Sequence, residues 1–271
     1  GINDIAYDDN GNRLSNGNAT YTTGPGNRLL SDGVWEYTYD EEGNLTAKES
    51  LDSDEKWTYG YDHRNQLIRA EFSEDGTTVA MLAEYKYDAW GNRVEKIVDS
   101  ESQKFALDGW NPSKPAPLGL ENFDVLADLS ANGSLTTRYV RGDAVDELFA
   151  RMPAGAEPLW FLTDHLGSIR LVADKYGTPL NEIVYDGFGN IIAETDPAAR
   201  GRYAWTAREL DVETGLQYNR ARYYDAASGR WISQDPLGFD AGDANLYRYV
   251  ANNPVSDLDP SGLDRWRSTI R

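Results

Sequence analysis

Aromatic and polar residues alternate over short runs along the first hundred positions, most cleanly in Trp35-Glu36-Tyr37-Thr38-Tyr39. Alternation at period two predicts a strand with one buried face. The runs end on a shared phrase: an aromatic residue, Asp, one to three polar residues, Gly-Asn, then an apolar residue. Copies are Tyr7-Asp8-Asp9-Asn10-Gly11-Asn12-Arg13-Leu14, Tyr39-Asp40-Glu41-Glu42-Gly43-Asn44-Leu45 and Tyr87-Asp88-Ala89-Trp90-Gly91-Asn92-Arg93-Val94. Another, Tyr185-Asp186-Gly187-Phe188-Gly189-Asn190-Ile191, lies much later. In Tyr61-Asp62-His63-Arg64-Asn65-Gln66-Leu67 an Asn replaces the Gly, and Asn also tolerates positive φ. A weaker copy spans Tyr21 to Leu29. Asp opens a turn, Gly or Asn takes the left-handed position, and the apolar residue starts the return strand. Each unit therefore reads as a β-hairpin. A lone hairpin is marginal in water, so neighbours must join edge to edge in a sheet that twists and curls. The early spacings of 32, 22 and 26 residues exclude a strict solenoid period.

Two stretches interrupt the pattern. Residues 108–120 (DGWNPSKPAPLGL) carry too much Pro for a central strand, and Met152 to Pro158 reads as a loop. Leu159 to Arg170 reads strand, turn, strand, with Leu171 to Ala173 as partner and a turn at Lys175-Tyr176-Gly177. The one helical signal is a short segment near Asp143 to Phe149.

Charge divides the chain. Of 26 basic and 45 acidic residues, the part from Arg200 onward holds ten of each, so the net charge of −19 lies upstream. All ten basic residues there are Arg. Arg is a rigid planar fork that pairs with carboxylates and stacks on rings. That composition predicts a ring-and-guanidinium core with buried carboxylates. The acidic balance argues against wrapping a phosphate backbone, so nucleic acid is not expected as a partner. With no Cys, neither a disulfide nor thiol chemistry is available. No apolar run approaches membrane-spanning length. The start, Gly-Ile-Asn-Asp, suggests a piece of a longer chain. His63 and His165 lack the company that zinc needs. The Asp-rich turns are explained as hairpin turns rather than Ca²⁺ loops. No nucleotide or hydrolase fingerprint stands in a suitable context, so no cofactor is expected.

The hairpin units resemble the YD repeats of Rhs proteins, Tc-toxin C components and teneurins. Asp164-His165-Leu166-Gly167-Ser168, Arg222-Tyr223-Tyr224-Asp225, Gly229-Arg230-Trp231-Ile232, Asp235-Pro236, Asn252-Asn253-Pro254 and Asp259-Pro260-Ser261-Gly262-Leu263 together resemble the Rhs-associated core. The resemblance implies an all-β fold, a strip of hairpins spiralling into a partial shell with the core segment curled inward as a plug. It divides the chain into hairpins (1–107), linker and irregular strands (108–158), further hairpins (159–200), core (201–263) and the start of a variable region (264–271). It implies secretion or display on a bacterial cell surface, the chain's own C-terminal cargo as partner, and further repeat chain completing the shell. It also implies an aspartyl-protease-like self-cleavage between Leu263 and Asp264 by Arg222, Asp235 and Asp259.

The residues bear on that chemistry only in part. Two carboxylates brought close can divide acid and base roles, and an Arg fork can orient one or polarise a carbonyl. Asp before Pro also commonly caps turns, and Arg222 could simply stack on Tyr223 or Tyr224. Asp257 could replace Asp259. A non-enzymatic extracellular scaffold of the same repeats, and a glycan-binding module built on its aromatics, are the rival readings.

Overall fold

The computed structural model describes residues 5–17, 19–108 and 124–263, together with the backbone of 266–267. Its main feature is a sheet of sixteen strands in which spatial order follows chain order, from Thr22–Thr23 to Ile191–Glu194. A smaller three-stranded sheet (Ile5–Tyr7, Arg13–Asn16, Ala19–Thr20) precedes it, joined by the Tyr21 N–H donating to the Leu14 carbonyl. All described pairings are antiparallel neighbours, as hairpin repeats require.

The turns have the predicted chemistry. In Asp40 to Leu45, the Asp40 N–H donates to the Asn44 carbonyl and Asp40 Oδ1 accepts the Asn44 N–H at 2.7 Å. Asp8, Asp62, Asp88, Asp164, Asp174 and Asp186 do the same for the backbone N–H four residues on. Gly43 takes φ +85°, and Asn65 takes φ +59° in the copy without Gly. In the five strong copies the pairing register slips by one residue just before the turn's Tyr, as between Thr38 and Tyr39, or Gly60 and Tyr61. Such bulges bend a strand and increase its twist, so a repeated bulge makes the strip curl. The curl brings its ends together: the Arg13 guanidinium lies 4.2 Å from the centroid of Phe188, in the turn before the last strand.

The segment from Arg202 onward fills the concave face. It contributes a four-stranded sheet (Glu209–Asp211, Leu216–Asn219, Arg222–Asp225, Arg230–Trp231) and short 3-10 turns. Tyr37, Leu45, Tyr59, Leu67 and Tyr85 from the early hairpins pack against Leu216, Tyr218, Tyr223 and Ile232. Phe105, Tyr139, Phe161, Val172 and Ile183 from the later ones pack against Tyr203, Trp205, Tyr224, Trp231 and Tyr249. The repeat turns hold the inner segment directly. The N–H of Leu45 donates to the Ile232 carbonyl, that of Ile169 to the Ala204 carbonyl and that of Arg93 to the Tyr218 hydroxyl. The Tyr247 hydroxyl returns a bond to the Gly43 carbonyl at 2.7 Å in a buried setting. Tyr247→Phe removes one such bond and is expected to cost about 1 kcal/mol, lowering the melting temperature by roughly 2–4 °C. An unchanged calorimetric melt would mean the rim contacts do not stabilise the fold.

Three local expectations need correction. Residues 143–147 form a turn, not a helix: Asp146 has φ +58° and Leu148 already pairs with Arg141 in the next strand. Met152 to Pro158 is only partly loop, because the strand Leu148–Pro153 runs into it. Leu159–Thr163 and Ile169–Ala173 form the expected strand, turn, strand with the turn at Asp164 to Ser168, but Leu171 to Ala173 belongs to the second of these strands rather than to a separate partner. The turn at residues 175–177 joins the following pair. Most of the Pro-rich linker, 109–120, lies outside the described residues.

Candidate active site

The hairpin formed by Leu216–Asn219 and Arg222–Asp225 turns at Arg220 and Ala221, with Arg220 at φ +58°. Across this turn lies Asp259-Pro260-Ser261-Gly262, and every carbonyl of that run is held in register. Asn219 Nδ2 donates to the Asp259 carbonyl at 2.7 Å, Arg220 Nη1 to Pro260 at 2.6 Å, the Ala221 N–H to Ser261 at 3.0 Å and Arg222 Nε to Gly262 at 2.5 Å. Gly262 has φ +72°, and a Cβ there would sit 2.5 Å from the Asn219 carbonyl oxygen and 2.9 Å from the Arg222 nitrogen. Both obstacles are backbone, so only Gly fits beneath the turn.

Arg222 brings the two predicted carboxylates together. Its Nη2 lies 2.7 Å from Asp235 Oδ2 and 3.5 Å from Asp259 Oδ2. Nη1 donates to the Leu246 carbonyl, and the guanidinium lies 4.2 Å from the centroid of Trp231. Burial depresses the pKa of this Arg, while Asp235 and Asp259 oppose the shift and keep the cation in place. Each carboxylate also caps a turn with its other oxygen. Asp235 Oδ1 accepts the Leu237 N–H at 2.9 Å. Asp259 Oδ1 accepts the N–H of Gly262 at 2.8 Å and of Leu263 at 3.2 Å. Turn capping and pairing with Arg222 are thus compatible at both positions.

Asp259 rather than Asp257 is the carboxylate that reaches Arg222, while Asp257 Oδ2 accepts from Asn253 Nδ2 at 3.2 Å. Asp257–Leu258 pairs antiparallel with Trp266–Arg267, so the chain reverses direction between these two segments. Asp264, on the far side of the expected cut, lies outside the described residues. His63 is exposed, and His165 Nε2 lies 3.0 Å from the Val255 carbonyl.

Sequence reading missed the partners that tie this segment to the sheet. Arg93 Nη2 lies 2.6 Å from Glu209 Oε2 and Nη1 2.5 Å from Asp211 Oδ2, with the Arg93 side chain 1% exposed. Arg202 joins Asp128 to Glu209, and Lys96 joins Asp211 to Glu213. Asp146 accepts from both Arg208 and Arg220. The all-Arg composition signalled buried guanidinium–carboxylate pairs in general, and nothing local named the pairs.

This network sets an acid limit. Burial alone would raise the pKa of Glu209, Asp211 and Asp146, yet the facing cations (Arg202 and Arg93, Arg93 and Lys96, Arg208 and Arg220) hold all three below their ordinary values. Depressed folded-state values mean stability present above the unfolded pKa values of about 4 and lost as pH falls through the folded ones. Glu213 opposes them, its pKa raised by burial and by Asp211. Melting temperature is expected to drop below about pH 4. Glu213→Gln is expected to raise it at pH 7, and a fall there would reverse the sign assigned to Glu213.

Comparison with known proteins places the fold. The teneurin YD-shell family model matches residues 2–255. The tRNA3(Ser)-specific nuclease WapA of Bacillus spizizenii is 30% identical over 272 residues, covering 98% of this chain and 9% of that protein. Toxin protein Tse5 of Pseudomonas aeruginosa is 29% identical over 270 residues, covering 88% of this chain and 19% of Tse5. A crystal structure of TcdB2-TccC3-Cdc42 superposes with a TM-score of 0.57 at 20% identity, over 96% of this chain and 17% of that one, a likeness of fold. The chain therefore spans under a fifth of the length of these proteins. No helix among the described residues is long and apolar enough to cross a membrane. A curled strip of YD-type hairpins around an inner segment, matched almost end to end by the family model, establishes that this chain belongs to the teneurin YD-shell family.

Proposed function

We propose that this chain is the closing end of a shell that encloses a C-terminal polypeptide cargo and frees it by one hydrolytic cut between Leu263 and Asp264. The carrying observation is that Arg222 pairs with both Asp235 and Asp259 while donating to the Gly262 carbonyl, in the backbone that leads into Leu263. In this reading Asp235 takes a proton from water, whose oxygen adds to the Leu263 carbonyl. Arg222 stabilises the charge developing on that carbonyl oxygen. Asp259 holds the N–H groups of Gly262 and Leu263 and thereby aims the bond. The C–N bond then breaks, the proton passes to the Asp264 nitrogen, and Leu263 keeps a carboxylate. The bond belongs to the same chain, so its effective concentration is preset and one turnover suffices.

Relatives named as toxins and nucleases favour a cargo of that kind, and a secreted or surface-exposed bacterial protein whose shell is completed by further repeats. A purely structural scaffold is the second reading. The stacking of Arg222 on Trp231 and its bond to Leu246 favour it, since both are ordinary structural contacts. Intact-mass spectrometry of the folded chain separates the two. Cutting yields a species ending at Leu263, whereas a chain that stays whole through prolonged incubation removes the proteolytic reading.

A further inference from the structure

We infer that Arg220 is a positioning residue for the cut after Leu263, and that Asp146, a residue of the sheet, sets its position; the inference rests on the hydrolytic reading above. Arg220 is one of four consecutive residues that grip the four consecutive carbonyls of the strap, Asp259-Pro260-Ser261-Gly262, at a constant offset of 40 positions. Three of those grips come from the inner hairpin alone. Arg220 differs because the rest of its fork reaches the large sheet. One side donates to the Pro260 carbonyl at 2.6 Å, and the other reaches Asp146 Oδ1 at 2.9 Å and Asp124 Oδ1 at 3.2 Å.

Both acidic partners belong to the sheet. Asp124 starts the strand Asp124–Ser130, and Asp146 sits in the turn between Leu135–Arg141 and Leu148–Pro153. Asp146 points inward from a left-handed backbone and is also gripped by Arg208 Nη1 at 2.7 Å. Arg208 in turn donates through Nε and Nη2 to the Tyr218 carbonyl, in the strand that leads into Asn219 and Arg220. The sheet turn thus fixes the inner hairpin and the strap through one carboxylate.

The consequence is a link between shell closure and cutting. The Asp259 cap on the Gly262 and Leu263 N–H groups requires the strap to sit at one height above the hairpin. Pro260 has no N–H with which to be held, so its carbonyl is the handle, and Arg220 holds it. A sheet turn that has not docked leaves Arg220 without its buried partner and the bond out of line with Arg222 and Asp235. Displacement of about 1 Å in such a site costs on the order of 100-fold in rate.

The test uses Asp146→Asn, which removes a charge contacting Arg220 without altering the strap, with Arg220→Gln and Arg220→Lys. Two readouts are followed in the whole chain: the rate of appearance of the Leu263-ended species, and amide hydrogen exchange at Gly262 and Leu263 in the uncut Asp235→Asn background. Asp146→Asn and Arg220→Gln are each expected to slow cutting about 100-fold. The shape of the pH–rate profile should stay unchanged, and the double variant should be no slower than Arg220→Gln. Arg220→Lys, whose ammonium can still meet the Pro260 carbonyl, should recover part of the rate. Exchange at Gly262 and Leu263 should rise at least tenfold while exchange in strands of the sheet does not. Unchanged exchange in folded Asp146→Asn and Arg220→Gln variants would overturn the positioning role. If the wild-type chain never cuts, the hydrolytic reading falls alone, and the exchange measurement still decides whether Arg220 and Asp146 set the strap.

Discussion

Asp235→Asn is expected to slow the cut after Leu263 by roughly 10³-fold, within the range by which a positioned general base accelerates a reaction. The substitution keeps the size of the side chain, and the amide oxygen can still accept the Leu237 N–H that Asp235 Oδ1 accepts at 2.9 Å. What it removes is the charge on the oxygen 2.7 Å from Arg222 Nη2, which in the proposed mechanism receives a proton from water. The turn should survive, and circular dichroism should show an unchanged sheet. Asp259→Asn is expected to slow the cut as well, because its Oδ2 faces Arg222 while its Oδ1 aims the strap. Asp257→Asn should leave the rate within a few-fold, its carboxylate being occupied with Asn253. Fast cutting by Asp235→Asn, or loss of cutting only in Asp257→Asn, would dissolve the proposed set of groups.

What could be read from the chain divides by sequence distance. The hairpins were legible because their determinants are local: Asp40 caps Asn44 four residues away, and Gly43 supplies the positive φ between them. The inward curl is less local but follows from the same turns, since each carries its bulge. The inner segment was visible in kind, as Arg and Tyr without Lys, and the structure buries Arg208, Arg220, Arg222 and Arg230 among rings and carboxylates. Its pairings were not visible, because Arg93 and Glu209 are 116 residues apart and no periodicity links them. The helical reading of Asp143 to Phe149 failed for the same reason. Its charged and apolar spacing suits a helix, but Asp146 is drawn into the left-handed region to meet Arg208 and Arg220. Asp257 and Asp259 stood level in the sequence, and only the 40-residue register of the strap on the hairpin separates them.

Arg93→Met is expected to cost about 3–5 kcal/mol, the usual penalty for breaking a buried ion pair on one side. Arg93 follows the Gly91-Asn92 turn of a sheet hairpin, yet its fork ends on Glu209 and Asp211 of the inner segment. Its guanidinium also lies 4.3 Å from the centroid of Tyr218, so Met would replace part of the packing but none of the charge. Glu209 would keep Arg202 and Asp211 would keep Lys96, which limits the loss without cancelling it. Arg93→Lys should recover only part, because one ammonium cannot serve two carboxylates as a fork does. If the cost is the uncompensated acids rather than a lost attraction, Arg93→Met combined with Glu209→Gln and Asp211→Asn should be more stable than Arg93→Met alone. The combined variant should also lose much of the drop in melting temperature below about pH 4, since two of the three depressed carboxylates are gone. Urea unfolding of the wild-type chain, Arg93→Met and the combined variant at pH 7 and at about pH 3 measures both effects. A cost below about 1 kcal/mol for Arg93→Met would mean that ring packing, not the buried ion network, fastens the inner segment to the sheet.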